Sequence, residues 1–388
     1  MSTLSPNEKY LIHLLVCYLQ DRKPEPPYIG AKFSALLEIA KRQGILGILT
    51  EMLSRLDDVP EKAKQEILSV KLHCIRTDLR LRSVVTEIVN GMEENKIRCM
   101  PLKGAEIKSL YRSPYHREMT DIDVLIDFSD AAKVKAWMEQ AGFTCEGEAK
   151  HNHFNFHREE AVIEFHEKLL DEKEYGAAAF DSVWERASLK EGYAFVYEMD
   201  ATQTYLYFLF HLLQHYLDSG VGIRFFMDLA VLRQTTEVRW DVVQSVLEEY
   251  RLTAFQQGIL DLLSAWERDS LTESQILFTK NLLENNLYGA SAQRAAQEMI
   301  HHGSRSGRIY HALFEPKAVL LEAYPSLRRA PWLYPLYYPH RILRRYLTRK
   351  EQAKARWTAS KISNERVEQQ KRLYEELGLL PIIKGETV

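Results

Sequence analysis

Asp121 and Asp123 stand two apart in Thr120-Asp-Ile-Asp-Val-Leu-Ile-Asp127, a run whose β-branched content and alternation predict a strand. At that spacing both carboxylates point to one face, while Ile122, Val124 and Ile126 are free to pack on the other. Neighbouring carboxylates repel, and each holds its proton more tightly unless a cation lies between them. Mg2+ suits that role, because it takes oxygen ligands and keeps water and phosphate oxygens in its shell. A solvated strand edge carries the same spacing, so the pair alone leaves both readings open.

Context sharpens the choice. The short apolar run Ile97-Arg-Cys-Met-Pro-Leu102 predicts a strand ending at Lys103-Gly104, with a helix over 105–111 starting directly after the glycine. The first amides of such a helix, at Gly104 and Ala105, bind anions, and glycine lets a phosphate approach the backbone. A phosphate cradle followed by paired metal carboxylates is what metal-assisted nucleotidyl transfer requires. Arg112 and Arg117 flank the intervening loop. A guanidinium fork grips phosphate with two bonds, so either could meet a triphosphate, or both could face solvent.

Pro101-Leu-Lys-Gly-Ala105, Tyr111-Arg112, Arg117-Glu-Met-Thr-Asp-Ile-Asp-Val-Leu-Ile126 and Ile163-Glu-Phe-His166 together resemble an uncharacterised bacterial nucleotidyltransferase family. That family falls within the DNA polymerase beta-like nucleotidyltransferase superfamily. The resemblance implies a small mixed sheet with helices, a third acidic residue at Glu164, two Mg2+ ions on Asp121, Asp123 and Glu164, and a nucleoside triphosphate as substrate. In two places the chain departs from the superfamily. Ala105 stands where serine or glycine is usual, which removes a hydroxyl contact to phosphate that Lys103 could replace with charge. Glu164 stands where aspartate is commoner, one methylene longer.

An independent reading of 151–166 agrees with the third acidic position. His151–His157 and Ala161–His166 predict a hairpin over Arg158-Glu159-Glu160. In an even register Asn155 faces Glu164 and His153 faces His166, gathering the polar residues on one face and Phe154, Phe156, Ile163 and Phe165 on the other. Because Glu-Glu is poor chemistry for a two-residue turn, a four-residue loop is expected. His153, Asn155 and His166 are then available for substrate contact or as plain polar-face residues. Zinc at His151, His153, His157 and His166 is disfavoured by the absence of an accompanying cysteine.

These residues need elements to hold them. Apolar spacing of three and four predicts helices through the first 95 residues, a compact α/β core over 96–175, and helices again over 176–388. The fold class is therefore α+β, a small mixed sheet flanked by an N-terminal and a large C-terminal helical region. With 46% hydrophobic and 27% charged residues the 388-residue chain is a folded protein rather than a disordered one. Its net charge of −3 carries no overall nucleic-acid signature. Cys17, Cys74, Cys99 and Cys145 form no CxxC pair and read as reduced, buried thiols.

No signal peptide is evident, and the uncharged run Ala201–Leu217 carries too many polar side chains for lipid, so a buried helix and a cytoplasmic protein are expected. His211, His215, Arg224 and Asp228 punctuate an apolar region and read as a buried polar network or a cleft wall. Arg341–Arg372 holds eleven Lys and Arg against three Glu, and a solvated helix is preferred there to RNA or acidic lipid binding. The expected activity is transfer of a nucleoside monophosphate, AMP from ATP, to an unknown small molecule, peptide or protein, with pyrophosphate released. A catalytically weak nucleotide-binding scaffold and an RNA-directed nucleotidyltransferase are the alternatives. Asp123→Asn is expected to abolish turnover with little change in melting temperature.

Overall fold

One apolar sheet face and the two helices that cover it position the carboxylates. The computed structural model describes residues 3–150, 153–234, 237–287, 291–303 and 362–385, with short stretches between 320 and 340. Strands β1 (Cys99–Pro101), β2 (Ile122–Ile126), β3 (Thr144–Lys150), β4 (His153–Arg158) and β5 (Ala161–His166) form a mixed sheet in the order β1-β2-β5-β4-β3. β2 and β5 are parallel, and every other neighbouring pair is antiparallel.

The β4–β5 hairpin takes the even register, with His153 opposite His166 and Asn155 opposite Glu164. Arg158 pairs with Ala161, so the loop is two residues long and not four. Glu159 bears the left-handed backbone of that turn, with φ 54°. Ion pairs from Arg158 to Glu87 and from Arg80 to Glu160 tie the turn to the neighbouring helix, which offsets its unfavourable sequence. β3 was not expected. It is an edge strand with a register irregularity between Glu146 and Lys150, and its glycine and charged residues hide it from propensity arguments.

Helix α4 (Glu61–Glu94) and helix α6 (Ala131–Gln140) close the apolar face. Leu81, Val84, Ile88 and Met92 of α4 and Val134 and Met138 of α6 share one core with Ile122, Val124, Ile126, Phe154, Phe156, Ile163 and Phe165. Asp130 stands at the N-cap of α6, and Ser129 donates its amide to the Asp127 side chain in the preceding turn. Gly142 ends the segment with φ 82°.

The helices with described bounds also include α1 (Pro6–Leu19), α2 (Phe33–Gln43), α3 (Leu46–Leu53), α5 (Gly104–Ile107), α7 (Val183–Arg186), α8 (Ala201–Asp218), α9 (Arg224–Arg233), α10 (Trp240–Glu249), α11 (Thr253–Glu267), α12 (Glu273–Glu284), α13 (Ser291–His301), α14 (Asn364–Glu376) and α15 (Leu380–Ile383). Ser5 and Glu8 form a capping box at α1, and Gly44 closes α2 in a left-handed conformation. A two-stranded piece, β6 (Ser188–Leu189) with β7 (Tyr197–Glu198), interrupts a stretch expected to be helical.

The chain divides into two compact units. Residues 1–214 and 221–287 make the first, which contains the whole sheet, and 215–220 with 288–388 make the second. Within the second, the Tyr216 and Tyr374 rings meet edge to face at 5.5 Å. Most of the basic segment 341–372 lies outside the described residues, as does His151. Among the described residues all four cysteines are free, and no helix is long and apolar enough to cross a membrane.

Where α4 meets α6, a Cβ on Gly91 would lie 1.8 Å from Trp137 Cζ2. Alanine gains about 1 kcal/mol of helix propensity over glycine, whereas overpacking a core costs about 1–3 kcal/mol, and a clash this close with a rigid ring belongs at the upper end. Gly91→Ala is therefore expected to lower stability by a net of about 2 kcal/mol. Thermal unfolding checks this, and a raised melting temperature would contradict the packing.

Candidate active site

Parallel pairing of β2 with β5 puts Asp123 directly beside Glu164. His166 lies two residues further along the same face. One ligand atom from each of Asp123, Glu164 and His166 falls within 4.8 Å of the others. Asp123 is 3% exposed, and its Oδ1 accepts from Lys103 Nζ at 2.8 Å and meets His166 Nε2 at 2.9 Å. His166 Nε2 also lies 3.8 Å from Glu164 Oε2. Asp121 is outside this cluster. β2 begins at Ile122, so strand alternation does not bind Asp121, whose carboxylate instead accepts from the Thr120 hydroxyl at 3.0 Å.

The charges explain the proton affinities. Burial would raise the Asp123 pKa, but Lys103 and His166 outweigh it and hold the carboxyl well below the usual range. Burial would likewise discharge Lys103, yet Tyr207 and the Asp123 and Asp121 carboxylates keep its ammonium charged and above the ordinary lysine value. For Glu164 the balance goes the other way: burial, then the charges of Asp123 and Asp121, push its pKa up against the weaker opposing charges of His166 and Lys103. The Asp123 and Glu164 carboxylates, with the Asp121 charge acting from outside the cluster, outnumber the one ammonium, and an oxygen-rich set of this kind fits a divalent cation. The Asn155 Oδ1 opposite Glu164 is also buried without a partner.

The turn before this cluster is narrower than the sequence suggests. Ala105 donates its amide to Leu102 O at 3.2 Å and Glu106 donates to Lys103 O at 3.1 Å, so Ala105 does not offer a free donor. The Gly104 amide remains, beside the Lys103 side chain. Lys103 itself has φ 49° and ψ −115°, a sparsely populated conformation for a residue with a side chain. Gly104 is required for a different reason than phosphate access, since a Cβ there would sit 2.6 Å from Arg117 Nη1.

Neither arginine of the loop is directed to the cluster. Arg117 is buried and forms a two-point ion pair with Asp228 of α9, at 3.2 and 3.0 Å, and Tyr111 donates to the same carboxylate at 2.5 Å. Arg112 donates to Tyr18 O at 3.1 Å and pairs with Asp21. Lys108 anchors the loop from beneath, bonding Arg117 O at 2.7 Å and Asp78 at 2.8 Å. These residues position the turn. Of the punctuating polar residues, Arg224 joins the same support by donating to Glu118 O at 3.1 Å, and His211 stacks on Phe225.

Sequence reasoning missed four neighbours. Tyr207 is buried on α8, close enough for its hydroxyl to feel the charges of both Lys103 and Asp123. Glu174 lies within reach of the Lys103 charge. Glu106 accepts from Thr204 Oγ1 at 2.7 Å, and its Oε2 is buried without a partner. Only Glu106 had a signal, an acid three residues after Lys103; the others come from distant α8 and from the loop before Ala177. A cavity of about 550 Å3 opens where β2 and β5 end, lined by Phe128, Phe180 and Trp184 with Asp127, Lys168 and Asp181. Among the described residues no further cluster of His, Cys, Asp and Glu suits a metal, which leaves His153 stacked on His166 at 6.3 Å and His157 Nδ1 buried unpaired.

Burial pushes the Glu106 pKa up to about 7, with the Thr204 bond opposing and Glu198 assisting. A raised folded-state value means that its stabilising contribution is full below the unfolded carboxylate value of about 4.3 and is lost as pH rises through about 7. Glu106→Gln should match the parent melting temperature near pH 4 and exceed it at pH 8. Parallel melting curves across that range would contradict the burial of this carboxyl.

The family model described as an uncharacterised nucleotidyltransferase matches residues 30–267, which include the Lys103-Gly104 turn, Asp121, Asp123, Glu164 and α8. No curated protein matches the chain, and no solved structure does. With well over half of its length matched, the chain belongs to this nucleotidyltransferase family and is a transferase enzyme that moves nucleotidyl groups.

Proposed function

We propose that the protein transfers a nucleoside monophosphate, AMP from ATP, to a hydroxyl or phosphate oxygen of an acceptor and releases pyrophosphate. The observation that carries this reading is the side-by-side pairing of Asp123 and Glu164 on parallel strands next to the Lys103-Gly104 turn. Asp121, Asp123 and Glu164 would hold divalent cations, two when nucleotide is bound. Such ions supply the charge that draws the triphosphate and steadies an in-line displacement.

The chain's own residues then divide the work. Lys103 and the Gly104 amide hold the β- and γ-phosphates. Lys103 and His166 together fix the Asp123 carboxylate through its Oδ1. Glu164, which has no lysine partner and a raised proton affinity, takes the proton of the acceptor hydroxyl as its oxygen bonds to the α-phosphorus. The bond from that phosphorus to the bridging oxygen breaks, and pyrophosphate leaves with the electron pair. The cavity at the strand ends receives the part of a substrate that lies beyond the phosphates, with its aromatic wall available for stacking.

A nucleotide-binding scaffold without turnover is the second reading, favoured by one observation: the Lys103 ammonium already neutralises Asp123. Incubation with labelled nucleoside triphosphates, a divalent ion and fractionated cell extract separates the two. Label moving to an acceptor together with pyrophosphate release supports transfer, whereas nucleotide retention without pyrophosphate across all fractions supports the scaffold.

The two acids should behave differently on substitution. Glu164→Gln removes a repelled charge, so turnover should fall at least a hundredfold while the melting temperature holds or rises. Asp123→Asn leaves the part-buried Lys103 ammonium without its acid, so it should lose turnover and also cost about 3 kcal/mol of stability. That corrects the expectation from sequence of an unchanged melting temperature. Wild-type turnover in Glu164→Gln would remove Glu164 from the chemistry.

A further inference from the structure

The donor set of this site is not purely oxygen. His166 projects from β5 on the same face as Glu164, with Nε2 at 2.9 Å from Asp123 Oδ1 and 3.8 Å from Glu164 Oε2. An ion bonded at about 2.0–2.2 Å to each of three ligands draws its donors to roughly 3–4 Å from one another. The observed cluster, within 4.8 Å throughout, is close to that arrangement before any ion has contracted it. Lys103 pairs with Asp123 Oδ1 and forms no ion pair with Glu164, so the ligand atoms grouped closely enough for an ion are those of Asp123, Glu164 and the imidazole. The unpartnered Asn155 Oδ1 stands across the strand pair from Glu164, a neutral oxygen with a lone pair to offer that ion or its water.

Resting on the reading above, we propose that His166 is a ligand of the cation the protein holds before nucleotide arrives, and that this position selects Mn2+ over Mg2+. The chemistry gives the direction. Mg2+ is a hard ion that demands near-ideal octahedral oxygen coordination, while imidazole nitrogen suits first-row transition ions. One nitrogen with two carboxylates therefore favours Mn2+ at this position, and any ion carried in by the triphosphate is free to be Mg2+. The simpler role for His166 is a hydrogen bond that orients Asp123. A spectroscopic readout on the metal distinguishes these roles directly.

The test is titration of the nucleotide-free full-length protein with Mn2+ alone, followed by electron paramagnetic resonance, with pulsed spectra to detect nitrogen coupled to the ion. The expected result is one tight Mn2+ per chain, coupled to one imidazole nitrogen and displaced by Mg2+ only at large excess. His166→Gln keeps a donor for Asp123 but should erase the nitrogen coupling and weaken Mn2+ binding by about tenfold or more, the size that loss of even an outer-shell partner reaches. Bound Mn2+ without nitrogen coupling in the wild-type protein overturns the proposal, and so does the absence of tight Mn2+ binding. Nucleotidyl transfer with an uncoupled ion would sink this inference and leave the proposed function standing. A coupled ion in a protein that never releases pyrophosphate would do the reverse.

Discussion

The site depends on keeping one carboxylate charged while it is almost wholly removed from water. Burying an unpaired carboxylate costs several kcal/mol, and the usual escape is to take up a proton. Asp123 is spared that fate by the Lys103 ammonium at 2.8 Å and the His166 ring at 2.9 Å on the same oxygen. Lys103 reaches it only from a backbone with φ 49°, a conformation that costs about 1–3 kcal/mol and persists where the surroundings over-determine it. Those surroundings are visible. Arg117 fills the space against Gly104 and is itself held by Asp228, while Lys108 ties the loop to Asp78.

The sheet supplies the second constraint. β5 runs parallel to β2, so Glu164 falls level with Asp123 instead of at a diagonal. The intervening residues form α6, β3 and β4, which cover and extend the sheet before the chain returns. Nothing on the polar face compensates Glu164 as Lys103 compensates Asp123. The result is one acid locked in its charged form beside another that is reluctant to ionise, the separation of roles expected where one group binds and its neighbour exchanges a proton.

What could be read from the sequence follows the range of the interactions involved. The β4–β5 register was legible because a period of two and a sharp split between aromatic and polar residues allow one alignment. Glu164 was legible by the same route, and the glycine turn by its position between an apolar run and a helix. The partners of Arg117 were not, because its acid lies 111 residues away on α9. Tyr207 carries no signal at all on an apolar helix. The orientation of Asp121 was not legible, because alternation holds only from Ile122, where the strand begins. The turn at Glu159-Glu160 misled because its own preferences are overruled by ion pairs from α4.

The central claim is that Asp123 and Glu164, beside the Lys103-Gly104 turn, form a single divalent-cation and triphosphate site. Anomalous diffraction from crystals grown with Mn2+ and a non-hydrolysable nucleoside triphosphate addresses it most directly. The account predicts an anomalous peak bonded to both carboxylates, with the terminal phosphates against Lys103 and the Gly104 amide. A nucleotide bound elsewhere on the chain, or an Asp123–Lys103 pair left sealed with no ion beside it, would contradict that claim.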